Sequence, residues 1–560
     1  MNRNNEAHFN QVPALEITRS RFKRDQDVKL TFDAGKLIPF YVDEVLPGDT
    51  FSVDQSAIIR MSTPIFPVMD NAYLDYYYFF VPNRIIWEHW KEFMGEVTDD
   101  PWVQTVEYTV PTIKIAGTSD TEKLPKEASI LDYMGIPTKF LGNGKTAEIN
   151  ALPIRAYVKI WNEWFRDQNV DNPAINSNTD ATVNYTDNAE NNIEKILQQA
   201  YTGGRPLPVS RFHDYFSSCL PSPQRASEPV RIPMSGNAPI KGYTTANRTQ
   251  EISGRIAPVD DGVIPTGGTI TAAGPTTLPI KTSGTVNLIT GTGNNRKFAW
   301  LGADLSEVNS TTINQLRQAF QVQKYFEELA RGGSRYREQI YSLFRTRISD
   351  KTVQVPEYLG GDRVMININQ VVQTSATDTE SPQGNVAAVS VTGFGKSAFT
   401  KSFEEHGWVI GVCCVRHDHT YQQGIERMWS RKNKLDFYFP VFANLGEQAV
   451  LKKELYASGE ETDEEAFGYQ EAWAEYRMKP NRVCGLFRSN AAGTLDSWHY
   501  ADNYDAQPSL SQEWMKEGKA EIQRTLAVQD EPQFIMDILV KNNTTRPMPM
   551  YSIPGLIDHH

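Results

Sequence analysis

Eight consecutive apolar residues, Trp408-Val-Ile-Gly-Val-Cys-Cys-Val415, stand between Gly407 and Arg416 and constrain the fold more than any other stretch. The run is rich in β-branched residues and far too short to span a membrane, so it suits a strand covered on both faces. Residues 435–442, with Phe437, Tyr438, Phe439 and Phe442, read as a second buried strand with Pro440 at its edge or end. Gly424 and the basic, aromatic segment 427–434 lie between the two. Buried strands joined by a long connection are the unit from which sandwiches and jelly rolls are built.

The rest of the chain supports this reading. Val28, Leu30 and Phe32 alternate with polar residues, as do Phe51, Val53, Ala57, Ile59 and Met61, and Pro47-Gly48-Asp49 supplies a turn between them. Residues 73–81 are so aromatic that both faces need cover. Strands are also expected at 364–372, 386–391, 483–487 and 534–540. Helical spacing predicts a short helix at 84–94 with Gly95 as its cap, and a second at 153–167 carrying Tyr157, Ile160, Trp161 and Trp164. Two more follow at 312–331 and 335–344, the last capped by Ser334 with Ile340, Leu343 and Phe344 buried. No repeat of about 20–50 residues is visible, which disfavours solenoids and propellers. The expected class is mainly β, an antiparallel sandwich with long loops and a few short helices.

Composition divides the chain. Residues 1–26 read as a polar N-terminal arm, residues 27–166 and 298–560 as the core, and residues 167–297 as a surface insertion. Between Lys241 and Asn295 there are 12 Thr and 9 Gly against seven charged residues, and Tyr243 is the sole aromatic, which suits short strands and projecting loops. Tyr243, Thr266, Thr276 and Thr285 are the candidates for contact with an external receptor, because recognition tends to sit on such loops.

The net charge of −12 does not suit a protein that coats nucleic acid over its whole surface. Contact with a polyanion must be local. Arg19, Arg21, Lys23 and Arg24 crowd around Phe22, a pattern able to bind phosphates and stack a base, or to pack as a solvated arm on a neighbouring subunit. Cys219, Cys413, Cys414 and Cys484 form no CxxC pair and read as reduced thiols, Cys413 and Cys414 pointing to opposite faces of one strand. Such thiols suit assembly in a cytoplasm. The N-terminus lacks the apolar stretch of a signal peptide, so that secretion by the usual route is not expected, and no membrane insertion is expected.

No catalytic, cofactor or metal residues are assigned. Ser390-Val-Thr-Gly-Phe-Gly-Lys-Ser397 ends like a phosphate loop but lacks the first glycine and a following helix. His417-Asp418-His419 puts two imidazoles on one strand face, yet no third ligand stands at a recognised spacing. Glu404, Glu405 or Asp418 could serve a glycosidase, the acidic run 460–465 could hold a divalent cation, and no G-x-S-x-G elbow is present. The competing class is therefore a β-sandwich that binds or degrades carbohydrate.

Several blocks resemble the major capsid protein of the gokushoviruses, small icosahedral single-stranded DNA phages of the Microviridae. They are V-P-N-R-I-I-W-E-H-W-K-E-F-M-G-E from Val81, P-I-R-A-Y-V-K-I-W-N-E-W-F-R-D-Q-N from Pro153, A-R-G-G-S-R-Y-R-E-Q-I-Y-S-L-F from Ala330 and E-R-M-W-S-R-K-N-K-L-D-F-Y-F-P-V-F-A-N-L-G-E-Q-A-V from Glu426. G-Y-Q-E-A-W-A-E-Y-R-M-K-P from Gly468 and R-P-M-P-M-Y-S-I-P-G-L-I-D-H from Arg546 continue the series in order, while the Thr- and Gly-rich insertion departs from it. The resemblance implies a viral jelly roll of eight antiparallel strands and a T=1 shell of sixty copies around circular single-stranded DNA. It also implies a protrusion built from the insertion for host attachment. Implied partners are further copies of the chain, the packaged DNA, a small basic DNA-binding protein, a pilot or minor capsid protein and a host surface receptor, within a virion. Sixty subunits at −12 sum to about −720, so local cations or a basic partner must hold the DNA.

Overall fold

The computed structural model describes residues 18–97, 106–117, 123–140, 142–187, 192–226, 230, 240–243, 251–252, 289–290, 297–298, 300–303, 312–375, 377 and 382–552. The chain divides into two compact units, Met1–Pro223 with Leu329–His560, and Gln224–Glu328.

The first unit is a two-sheet sandwich made of β1 (Ser20–Lys23), β2 (Gln26–Phe32), β3 (Ile38–Val45), β4 (Thr50–Met61), β5 (Ala72–Pro82), β6 (Glu357–Met365), β7 (Thr392–Ser402), β8 (Gly407–His417) and β9 (Phe534–Arg546). One sheet runs β1-β9-β4-β7, with β2 also paired to β9 further along its length; the other runs β6-β5-β8-β3. Every pair is antiparallel. Five strands, two of them (β1 and β2) sharing one edge of β9, face four, the arrangement of a jelly roll.

Alternation explains which residues fill the space between the sheets. Phe51, Val53, Ala57, Ile59 and Met61 of β4 and Phe534, Met536, Ile538 and Val540 of β9 meet Leu74, Tyr76, Tyr78 and Phe80 of β5 and Val409, Cys413 and Val415 of β8. The intervening residues of β5 and β8, Phe79, Val81, Ile410, Val412 and Cys414, pack on the opposite face against the helix α1 (Leu152–Ile160) and its neighbours Trp87 and Trp161. Both strands are thus covered twice, as their unbroken apolar runs require. The expected turn is present: Gly48 has φ +88°, and Asp49 accepts the Leu46 N–H at 2.9 Å. A third cluster, around Phe216, Tyr421, Phe467, Trp514 and Met515, packs the later loops.

Several expectations need correction. Residues 435–442 are not a buried strand: Lys434–Asp436 and Pro440–Phe442 are 3-10 turns, and Leu435, Phe437, Tyr438 and Val441 are exposed. Asp436 draws the Lys432 and Asn433 N–H groups into a turn, and Pro440 has no N–H to give a ladder. The strand near 483–487 is confined to Asn481–Arg482, and Gly485–Phe487 form another 3-10 turn. The helix expected at 84–94 shrinks to turns at Asn83–Ile85 and Trp90–Phe93, although Gly95 does adopt φ +96°. The helix at 153–167 ends as α at Ile160 and continues as one π turn, Trp161–Phe165. The strand expected at 364–372 is two, the end of β6 and Ile368–Val372.

The helix α2 (Ile313–Arg331) lies where spacing put it, as does α3 (Tyr336–Phe344), but the N-cap of α3 is Arg335, whose N–H is accepted by Glu338 at 3.1 Å. Ile340 and Leu343 are half-buried and Phe344 is exposed. Residues 167–223 place Leu197, Leu207, Val209 and Phe216 in the buried clusters of the first unit. In the second unit, Ile240–Tyr243 pairs with Glu251–Ile252 and Trp300–Ala303, and Ile289–Thr290 with Lys297–Phe298. No helix among the described residues is long and apolar enough to cross a membrane.

Candidate functional site

A conspicuous surface of the first unit is the segment 425–445, which includes residues 435–442, expected as a buried strand. Ile425, Met428, Trp429, Leu435, Phe437, Tyr438, Val441 and Leu445 are all exposed, Trp429 at 72% and Val441 at 88%. Exposed apolar surface of this density is of the kind found at interaction sites. It is held stiffly from below. Trp473 Nε1–H donates to the Phe442 carbonyl at 3.1 Å, and Arg427 Nη2 donates to the Ala449 carbonyl at 2.8 Å. Arg431 pairs with Glu475 at 2.7 Å and lies 4.3 Å over the Tyr476 ring, which in turn meets Tyr438. Met428, Arg431, Tyr476 and Met478 line one groove of about 160 Å³ beside this segment.

The basic arm is an edge strand. β1 pairs with the far end of β9, Phe22 opposite Thr544, and the alternation leaves Arg19, Arg21 and Lys23 on the exposed face while Phe22 is half-buried. Arg24 faces the other way and grips Asp43 with two bonds of 2.6 and 2.7 Å. Asp43 also accepts from Tyr41 Oη at 2.8 Å, and Asn542 Nδ2 donates to the same hydroxyl at 2.8 Å. The structure therefore separates Arg24, a clamp, from the three cations presented to solvent. Lys23 meets Asp25 at 3.1 Å and Arg19 donates to the Gly48 carbonyl.

His417 and His419 come together as one-residue spacing predicted, with ring centroids 4.3 Å apart. What the sequence did not supply was their company. Asp502 Oδ1 lies 2.8 Å from His419 Nδ1, and Glu517 reaches His417 Nδ1 with Oε1 at 2.5 Å and His419 Nε2 with Oε2 at 3.2 Å. Arg211 Nη1 lies 2.5 Å from Asp502 Oδ2 and 3.2 Å from His419 Nδ1. All four acidic and imidazole side chains are 0–1% exposed. Burial acts against charge throughout, but Asp502 and Glu517 outweigh it at His419 and push that imidazole up to about 10. Arg211 and His419 hold Asp502, and the two imidazoles hold Glu517, well below the usual carboxylate range. Asp418, between the histidines, turns outward to accept from Tyr73 Oη at 3.1 Å.

The other candidates are occupied in ordinary ways. Ser390-to-Ser397 is strand, not loop: residues 392–397 lie in β7 and Lys396 pairs with Asp362 at 2.6 Å. Glu405 binds Arg84 at 2.6 Å and Glu404 pairs with Lys351. In the acidic run, Asp463 accepts the Ser458 and Gly459 N–H groups, while Glu464 and Glu465 pair with Lys453 and Lys452, each at 2.6 Å. Tyr243 ends the strand Ile240–Tyr243, and Thr266, Thr276 and Thr285 lie outside the described residues.

Similarity to known proteins is extensive. The family model described as capsid protein (F protein) matches residues 10–556. The chain is 40% identical over 570 residues to the capsid protein VP1 of Bdellovibrio phage phiMH2K, covering 99% of this chain and 98% of that protein. It is 38% identical to capsid protein VP1 of Chlamydia phage 1, over 98% of this chain and 97% of that one, and 36% identical to capsid protein VP1 of Spiroplasma virus 4, with the same coverage.

Proposed function

This chain belongs to the capsid protein (F protein) family and is a major capsid protein of the gokushovirus type, and from that premise we propose that sixty copies close into a T=1 icosahedral shell around circular single-stranded DNA. The observation that carries the proposal is the exposed apolar segment around Trp429 and Val441, which leaves a large hydrophobic surface in water unless a second copy of the chain covers it. Interfaces of this obligate kind are more apolar than ordinary protein surface and bury large aromatic side chains.

Within the shell, Arg19, Arg21 and Lys23 are the cations we assign to the packaged DNA, with Phe22 beside them; Arg24 anchors the strand that presents them. A small basic DNA-binding protein supplies the remaining countercharge, and a pilot or minor capsid protein completes the particle. The insertion, with Tyr243, Thr266, Thr276 and Thr285, forms the protrusion that meets the host receptor. Assembly takes place in the host cytoplasm, and the chain's task is structural, with no catalytic step.

Sedimentation and negative-stain microscopy of the purified protein, made alone and together with its phage partners, test the shell. Uniform spheres of several megadaltons are expected. A monomer under both conditions overturns the reading.

A further inference from the structure

The cluster at the end of β8 is overbuilt for packing. Two carboxylates and two imidazoles are withdrawn almost completely from water, a costly arrangement unless each charge is balanced and each polar atom bonded. Arg211 pairs with one carboxylate, Asp502, and His419 lies against both. Neither ring nitrogen of His417 makes a hydrogen bond among the described residues, and Glu517 Oε1 makes none either, although the two groups approach to 2.5 Å; they are close but not aligned for N–H donation. A fully buried imidazole that faces a carboxylate without an aligned hydrogen bond calls for an explanation, and a bound ion is one that needs no hydrogen.

From this geometry we infer that His417, His419 and Asp502 form a binding site for one divalent transition ion of the zinc class, with Glu517 orienting the His419 imidazole. One ligand atom from each of the three lies within 4.8 Å of the other two, and an ion held at about 2.0–2.2 Å from each would require these side chains to close round it. His419 offers Nδ1, the nitrogen beside Asp502, while its Nε2–H donates to Glu517 Oε2 at 3.2 Å. That is the carboxylate–histidine–metal arrangement, in which the outer carboxylate sets the tautomer and the ring angle. Two imidazoles and one carboxylate favour zinc and its neighbours over calcium or magnesium, which prefer oxygen alone.

Arg211 is the competing cation. Its Nη1 touches both Asp502 Oδ2 and His419 Nδ1, so ion binding must turn it from the imidazole toward Asp502 and Tyr504, whose Oη lies 3.4 Å away. The ion would tie the end of the central strand to two loops that arrive 83 and 98 residues after His419. It is a staple for the later loops, and it does not depend on how copies of the chain assemble.

The test is metal content by elemental mass spectrometry of the purified protein, dialysed after exposure to Zn²⁺ alone, together with the visible spectrum after exposure to Co²⁺. About one ion per subunit with a tetrahedral cobalt spectrum is expected, and removal by chelator should lower the thermal midpoint. His417→Gln, which keeps the volume, should reduce content at least tenfold, and Glu517→Gln should weaken affinity by about 10–100-fold. Folding of each variant is checked by circular dichroism; if His417→Gln does not fold, Glu517→Gln gives the reading. A folded wild-type protein that retains no ion, or variants that retain as much as wild type, overturns the inference in favour of a cluster balanced by protons.

Discussion

Cys413 and Cys414 are consecutive in the chain and lie on opposite sides of one sheet, Cys413 between the two sheets of the sandwich and Cys414 against the layer of helices and loops outside it. Burial pushes both thiols up, Cys414 to about 12. Neither can be a reactive thiolate at neutral pH.

The four cysteines should therefore titrate in two classes. Cys484 alone is exposed and the other three are buried, so a thiol reagent should modify at most one residue per native subunit and four after unfolding. Two or more fast thiols in the native protein would contradict the packing around β8.

The clamp and the presented cations of the arm should separate by mutation. Asp43→Ala removes the acceptor of Arg24 and Tyr41 and should cost about 2–3 kcal/mol, allowing for the one-third exposure of Arg24. Replacing Arg19, Arg21 and Lys23 with Ser should leave thermal stability almost unchanged and lower packaged DNA more than shell yield. Equal loss of DNA and shells would assign the arm to subunit packing, read out by absorbance ratio and particle counts.

Charge placed on the apolar surface should stop assembly without unfolding the subunit. Trp429→Glu and Val441→Glu alter side chains already in water, so the melting of isolated subunits should change little. Each should weaken subunit association by about 2 kcal/mol or more if the side chain is buried at the centre of an interface. Normal particle yield from both variants would move the interface elsewhere.

Acid should destabilise the first unit through His499. Its Nε2–H donates to the Phe487 carbonyl at 2.6 Å, and Nδ1 accepts from the Ala501 N–H at 3.1 Å and from Arg524 at 3.3 Å. Burial lowers its pKa; the Phe487 carbonyl acts the other way, Arg524 adds to the lowering, and Asp70 and Asp496 oppose it. The folded state thus binds fewer protons than the unfolded one, so stability rises with pH through the window between the lowered value and about 6.5 and is lost as pH falls through it. Thermal midpoints at about pH 5 and about pH 7.5 should differ less in His499→Gln than in wild type.

Much of the sandwich was legible because alternation and burial are local signals. β4, β5, β8 and β9 announce themselves by what stands at every second position, and the double cover of β5 and β8 follows from runs without polar gaps. The same signal misled at residues 435–442. An apolar run reports that water will be excluded, not whether the covering surface belongs to this chain or to another copy, and Trp429 and Val441 stand in water here. Arg24 could not be told from Arg21 by composition; only the pairing of β1 with β9 turns one toward Asp43 and the other outward.

By itself, the chain's order of residues determined the class of fold, the doubly buried central strands, the basic arm and the family. Tertiary structure alone decided which face of the arm meets solvent, that the aromatic segment after Gly424 lies on the surface, and that Asp502 and Glu517 close on His417 and His419 from loops 83 and 98 residues beyond His419. Periodicity acts between neighbours in the chain, whereas a buried charge cluster is assembled by packing between segments that have no neighbourhood until the sheets have formed.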